Sequence, residues 1–482
     1  MRNVGIAGLT FWSPTMNVAR DPRWGRIQET PGECPYDVSR RVVAFVRALQ
    51  DHYTAYDLDA WMGVDRRHFN GKALNNLYIL LMRVGFFDGS PEYESLGKES
   101  ICSEEHMELS IETARQGIVL LKNDYGTLPL DTSKLQSVAV IGPHAEATDA
   151  MLGNYAGKPC KMTSPKDAFA RYAQVNFMRG CNVIHVGLDL TVEAEERDRA
   201  DLYLPGYQTR LINEVAALAD HPVILVIFSA GPVDVSFAQN NKKIGAIIWA
   251  GYPGEEGSVA VADIVFGKYN PRGRLPLTWY KNDHVKQLPM TSIQLRPDDA
   301  LGYPGRTYKF FNGSVLYPFG FGLSYTQFCY NLVSPVRSVV TKLDPLQHCH
   351  DIKYKPNAYV PSCKAVLVED IGCNQTIDIE VEVINIGGVD GGHVLMVYSI
   401  PPEPIVGAPL KQLIGFERVF VKAGSSTAAK FSINACEALS LVTETAYKVL
   451  PWGQHTISIG DGSGALTFPF RVNFEFYSNL LV

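Results

Sequence analysis

The chain lacks the short signatures that mark several large enzyme classes. None of its nine cysteines stands in a C-x-x-C pair, which leaves a zinc ribbon or a thioredoxin-like motif without support. No G-x-S-x-G, H-E-x-x-H or G-x-x-x-x-G-K-[ST] occurs, and no G-x-G-x-x-G follows a strand. A serine hydrolase, a zinc protease, a P-loop NTPase and a dinucleotide enzyme are therefore poor fits. No run of about 20 apolar residues is present, so no membrane-spanning helix is expected. Positive charge is not in excess: 44 Lys and Arg against 50 Asp and Glu give a formal charge of −6. That argues against a nucleic-acid binder held by a basic surface. The first residues, Met1 to Thr10, hold too short an apolar run to read as a signal peptide. Internal repeats and low-complexity tracts are absent.

What is present is ample core material. Of 482 residues, 46% are hydrophobic and 20% charged, which suits two to four globular domains and not disorder or coiled coil. The cysteines are dispersed and odd in number, a pattern equally at home in a secreted protein with a few disulfides and in an intracellular one with buried thiols. Two sequons, Asn312-Gly313-Ser314 and Asn374-Gln375-Thr376, lean toward secretion.

Along the chain, residues 1–100 mix helical segments with Gly/Pro turns; Val42, Phe45, Val46 and Leu49 follow helical spacing. A helix over 104–116 then leads into the apolar run Gly117–Asn123. Apolar strands follow at Ser137–Ile141, Pro222–Phe228 and Ile244–Ala250, each ending in a Gly/Pro loop. A helix at Arg210–Leu218, with Leu211, Val215 and Leu218 on one face, lies among them. Strands apolar on both faces, joined by amphipathic helices, indicate a largely parallel sheet covered on both sides. Such sheets bind ligands outside the carboxyl ends of their strands. Residues 330–375 read as an irregular linker or excursion. Beyond it Thr376–Val383 alternates strictly, and His393–Ile400, Gly415–Val421, Ala428–Ile433 and His455–Gly460 follow as further strands. A fibronectin III-like β-sandwich is the natural architecture.

Three polar clusters could carry chemistry. The first runs from Phe11 to Asn17 and on through Arg20–Glu33; Trp12, Arg26 and Glu29 offer the aromatic face and charged groups that sugar recognition uses. A turn stapled by Arg–carboxylate pairs around a buried Trp accounts for the same residues. The second, Asp51–Asp59 with Asp65–His68, holds carboxylates, His52 and Arg66, or simply makes a solvated loop. The third, Gly187–Arg199, begins after the apolar stretch Val183–Val186, where a strand should end. A carboxylic acid there could protonate a leaving-group oxygen, and a solvated charge run is the plainer alternative.

In this order the clusters resemble glycoside hydrolase family 3, specifically its plant-type β-xylosidase/α-L-arabinofuranosidase branch. The resemblance is carried by Gly8–Pro14, Arg20–Glu33, His52–Asp59, Gly117–Asn123, Glu193–Arg199, Leu204–Gln208 and Gly251–Glu255. Asn270–Pro276, Gly302–Tyr308, Tyr317–Tyr325 and Pro409–Phe416 extend it over nearly the whole chain. It implies a (β/α)₈ barrel, an α/β sandwich and a fibronectin III-like domain, and a retaining two-carboxylate mechanism on terminal xylose or arabinose of xylan-derived oligosaccharides. It also implies an extracellular, cell-wall setting and partners limited to xylo-oligosaccharide or arabinoside substrates, with no nucleic acid, membrane, metal or cofactor. The acid/base falls in the Glu-Ala-Glu stretch, on Glu195 with Glu193 as the alternative. The roles around the terminal sugar fall to Trp12, Arg26, His52 and Arg66.

Several departures accompany the match. The Ser-Asp-Cys-Asp motif whose Asp is the family's nucleophile occurs nowhere; Asn70-Gly71 runs almost directly into Asn76–Arg83, which resembles the last barrel helix. Asp51 stands where the family has Lys, and Cys34 where it has Asp; Gln50-Asp51 looks like a second junction, and a third shortening falls between Cys181 and Val186. The first residues resemble a point already inside the barrel. A barrel takes about 250 residues, and only about 100 precede the second domain. The expected architecture is therefore a truncated barrel at 1–100, an α/β sandwich at 101–329, the linker at 330–375 and the β-sandwich at 376–482. Hydrolysis is expected to be absent or very weak.

Overall fold

The computed structural model describes residues 17–50, 60–61, 64–65, 101–146, 148–178, 188–335, 338–343, 349–369, 375–460 and 466–476. In the stretch expected to be a barrel remnant, the described elements are a short 3-10 turn at Ile27–Glu29, helix α1 at Pro35–Gln50 and a two-residue antiparallel ladder of Ala60–Trp61 with Val64–Asp65. Pro35 opens α1 where its missing N–H has no helical partner to lose. The chain before α1 is stapled to later sequence. Ala19, Ile27, Ala230 and Leu277 form one apolar cluster, and the Glu33 N–H donates to the Pro276 carbonyl at 3.0 Å.

Helix α2, Glu104–Gly117, starts at Ser103, whose hydroxyl accepts from the His106 N–H, with Glu104 and Glu105 favouring the positive end of the dipole. It leads straight into β1, Val119–Asn123. The strands β2, Ser137–Ile141, and β3, Gln174–Met178, pair in parallel. Helix α3 spans Gln208–Leu218, β4 Val223–Ile227, β5 Ile244–Trp249 and helix α4 Gly257–Val265. Every residue of β5 is buried, as its unbroken apolar run requires of a central strand. It pairs in parallel with β4 and antiparallel with β1. Among the described residues the expected sheet is thus a mixed three-stranded one beside a parallel pair. Helix α3 also differs from its reading: it meets the core through Ile212 and Ala216 and leaves Leu218 84% exposed. Val183–Val186 lies outside the described residues.

The start of the stretch 330–375 is corrected by the structure. Strand β6, Phe328–Pro335, and strand β7, Ser338–Leu343, belong to the β-sandwich, not to a linker. The former pairs antiparallel with β8, Thr376–Asn385, and the latter parallel with Leu466–Phe476. Phe328, Tyr330 and Leu332 pack on the sandwich core, so the period-two signal was present under a composition that looked irregular. A Cys349–Cys363 disulfide closes the remaining excursion, and Cys102–Cys160 ties the start of α2 to the loop before the short helix Pro165–Phe169. On β8 the alternation is as read: Ile377, Ile379, Val381 and Val383 are all buried while Thr376 and Asp378 face solvent. The five-stranded and three-stranded sheets close over that core.

Candidate active site

A tight turn in the third polar cluster projects a carboxylate. Asp189 Oδ1 accepts from the Thr191 N–H at 2.8 Å and opens the turn; Ala194 and Arg197 then bridge each other, leaving Glu195 and Glu196 at the tip. Glu196 holds φ at +60°, a left-handed conformation that costs energy for a side chain other than glycine. The tip is pressed against the first polar cluster. Asp198 Oδ1 accepts from the Gly25 N–H at 2.8 Å, and the Arg199 N–H donates to the Arg23 carbonyl at 2.9 Å. Only glycine fits at position 25, because a Cβ there would lie 2.3 Å from the carbonyl oxygens of Ala194 and Arg197.

That docking brings together two residues 169 positions apart. Arg26 holds Glu29 through two bonds, Nε to Oε1 at 2.7 Å and Nη2 to Oε2 at 2.5 Å, and its Nη1 reaches Glu195 Oε1 at 3.3 Å. The other Glu195 oxygen accepts from the Tyr155 phenol, and the guanidinium lies 5.1 Å from that ring's centroid. The bond to Glu29 holds the Arg26 pKa above its ordinary value, and the bond to Glu195 raises that of Tyr155. Glu195 stays accessible, its side chain 55% exposed.

Glu193, two residues earlier, faces the opposite way. It is 1% exposed; its Oε1 accepts from the Ala230 N–H at 2.5 Å and the Tyr252 hydroxyl at 2.7 Å, while Oε2 has no hydrogen-bond partner among the described residues. Burial pushes its carboxyl up, and the nearby Arg199 guanidinium opposes that. Ala230 and Tyr252 also line a cleft of about 670 Å³ with Gln28, Leu109, Trp249 and Leu277; neither Arg26 nor Glu195 lines it.

Of the residues expected at the site, the structure joins Arg26 and Glu195, while Trp12, His52 and Arg66 lie outside the described residues. Tyr155 was missed. Its only sequence signal is the Gly153-Asn154-Tyr155 turn, where Tyr155 takes φ +58°. Beneath the cluster, Asp21 is buried, which opposes its ionisation, but hydrogen bonds from Arg23 and the charges of Arg23 and Arg306 outweigh that and lower its pKa.

Residues 118–325 match the glycosyl hydrolase family 3 C-terminal domain, and residues 393–463 a fibronectin type III-like domain. Beta-D-xylosidase 3 of Arabidopsis thaliana is 34% identical over 620 residues, spanning 95% of this chain and 80% of the relative. The chain belongs to glycoside hydrolase family 3. It is an O-glycosyl hydrolase of the beta-xylosidase-like kind by descent, and Tyr155, Glu193 and Glu195 all lie within the family's second-domain match. Beta-D-xylosidase 1 of the same plant is 36% identical over 96% of this chain and 80% of the relative. Beta-xylosidase/alpha-L-arabinofuranosidase 1 of Medicago sativa subsp. varia is 34% identical over 96% and 79%. A solved family 3 exo-beta-xylosidase, in complex with a xylobiose aziridine activity-based probe, shares the fold with a TM-score of 0.78 at 24% identity, covering 98% of this chain and 80% of that one. The 620 aligned positions of the first relative exceed the 482 residues of this chain by 138, so at least that many have no counterpart in this family 3 chain.

Proposed function

We propose that this chain addresses terminal xylose or arabinose of xylan-derived oligosaccharides, with Glu195 in the acid/base position, and that its hydrolytic turnover is absent or very weak. The observation that carries the reading is the Arg26–Glu195 contact at 3.3 Å, which joins the first and third polar clusters around an accessible carboxylate. A retaining mechanism needs a second carboxylate as nucleophile. The Ser-Asp-Cys-Asp motif is missing from the sequence, and Glu29, bound bidentately by Arg26, is held as an orienting group. The units we read are a truncated barrel unit over 1–100, an α/β sandwich from 101, and a β-sandwich that starts with β6. The disulfides support an oxidising, extracellular setting. Among the described residues no helix is long and apolar enough to cross a membrane.

The test is hydrolysis of an aryl β-xyloside and an aryl α-L-arabinofuranoside by the purified chain. Losing one catalytic carboxylate removes several kcal/mol of transition-state stabilisation, so turnover about a thousandfold or more below that of a family member with a full barrel is expected. Turnover within about tenfold of such an enzyme would sink the proposal. A second reading, a carbohydrate-binding remnant without any hydrolysis, is favoured by the 138 or more unmatched positions of the relative. Xylose-dependent thermal stabilisation with no detectable turnover supports it, since saturation at about 100 times Kd adds about 2.7 kcal/mol.

A further inference from the structure

The loop Asn312-Gly313-Ser314 follows the short helical turn Thr307–Phe310, and all three of its residues are exposed. It is anchored from beneath. The Phe311 ring meets Tyr280 edge-on at 5.0 Å and His284 at 4.9 Å, and the Asn312 N–H donates to the Pro304 carbonyl at 3.3 Å. The Asn312 carboxamide has no hydrogen-bond partner among the described residues, so a group attached to it displaces no native contact. The middle position is constrained: a Cβ on Gly313 would lie 2.6 Å from Cζ of Phe311. Glycine therefore lets the chain fold over its own aromatic anchor while both ends of the sequon stay in solvent.

A separate observation concerns the compartment. Cys102–Cys160 and Cys349–Cys363 are bonded, and Cys436 is also in a disulfide. Disulfides form and persist in an oxidising lumen, and that lumen is where oligosaccharide is transferred from a lipid carrier to Asn-x-Ser/Thr.

We propose that Asn312 is an N-glycosylation site. The donor is a lipid-linked oligosaccharide pyrophosphate. Asn312 Nδ2 bonds to the anomeric carbon of the terminal N-acetylglucosamine, the bond from that carbon to the pyrophosphate oxygen breaks, the lipid pyrophosphate leaves, and Nδ2 gives up one proton. Ser314 supplies the hydroxyl at the second position after the acceptor that the transferase requires. The saccharide stands on the surface of the α/β unit, and its attachment is independent of whether the chain turns over xylosides.

The experiment is expression of the full chain behind a secretory leader in plant-leaf or insect cells, followed by peptide mass spectrometry before and after enzymatic deglycosylation. The expected result is glycan on Asn312, with N312Q and S314A each removing one glycan step in gel mobility and S314T keeping it. The variant N374Q, made in parallel, separates the contribution of the second sequon. An unmodified Asn312 in secreted protein whose Cys102–Cys160 and Cys349–Cys363 disulfides are formed overturns the proposal. So does a mobility step lost only with N374Q. If no variant is secreted, translation of the same leader-bearing chain with microsomal membranes gives the same readout: a protease-protected product without an Asn312-dependent step overturns it.

Discussion

Glu33 shows how one side chain can tie stability to pH. Its Oε1 accepts from the Thr278 hydroxyl at 2.5 Å and the Tyr308 N–H at 2.9 Å, inside the seam between the first segment and the α/β unit. Burial pushes its carboxyl up from 4.5 to about 7, against those bonds. The folded chain therefore keeps a proton that the unfolded chain releases. The resulting stability is fully present below pH 4.5, declines as pH rises and is gone above about 7. The variant E33Q keeps the acceptor and removes the ionisation. Its urea midpoint should match that of the wild type at low pH and exceed it at pH 8, by an amount worth up to ~3 kcal/mol. Equal midpoints at both pH values would show that Glu33 does not titrate in this way. Glu193 is a second buried acceptor. Truncation in E193A leaves the Ala230 N–H and the Tyr252 hydroxyl unpaired, so it should cost about 2–4 kcal/mol in chemical denaturation, and E193Q clearly less.

At the scale of elements, the candidate site depends on two irregular segments docked backbone to backbone. Gly25 is the contact point. The variant G25A should lower stability by about 3 kcal/mol or more, because the neighbours that must move are carbonyl oxygens of the Glu195 turn and not flexible side-chain ends. Thermal unfolding reads this directly, and an unchanged Tm would show that the turn can shift without cost. The regular elements were legible beforehand for plain reasons. Strand β5 is one unbroken apolar run, and β8 alternates without exception. Strands β6 and β7 were overlooked, because Cys329 and the polar residues around it masked the alternation and the partners of both strands lie more than 40 residues further on. The antiparallel pairing of β1 with β5 was equally hidden, since apolar run length says nothing about strand direction.

Across the whole molecule, the segment before α1 is built into the later units. Cys34 packs with Tyr308 and Phe319 of the α/β unit and with Tyr398 and Leu413 of the β-sandwich. Arg306, two positions before Glu33's partner Tyr308, meets Asp21 in a buried pair at 3.3 Å. The Cys102–Cys160 bridge closes a loop of 58 positions across the α/β unit. Replacing both cysteines by serine should lower stability by about 2–4 kcal/mol, measured as a shift in the urea midpoint under oxidising conditions. No shift would mean that noncovalent packing alone holds α2 in place.

Composition, periodicity and motif order were enough to name the family, the α/β unit and the terminal β-sandwich, because those properties depend on local pattern and on runs of residues that any fold must bury. They also placed Arg26 and Glu195 among the residues to watch. Which of Glu193 and Glu195 faces outward was a matter for tertiary structure, since the two are of one type and two positions apart. The turn between Ala194 and Arg197 rotates one carboxylate onto the Ala230 N–H and the other toward Arg26. Tyr155 joined them only through folding, because a hydrogen bond across 40 positions leaves no trace in local pattern.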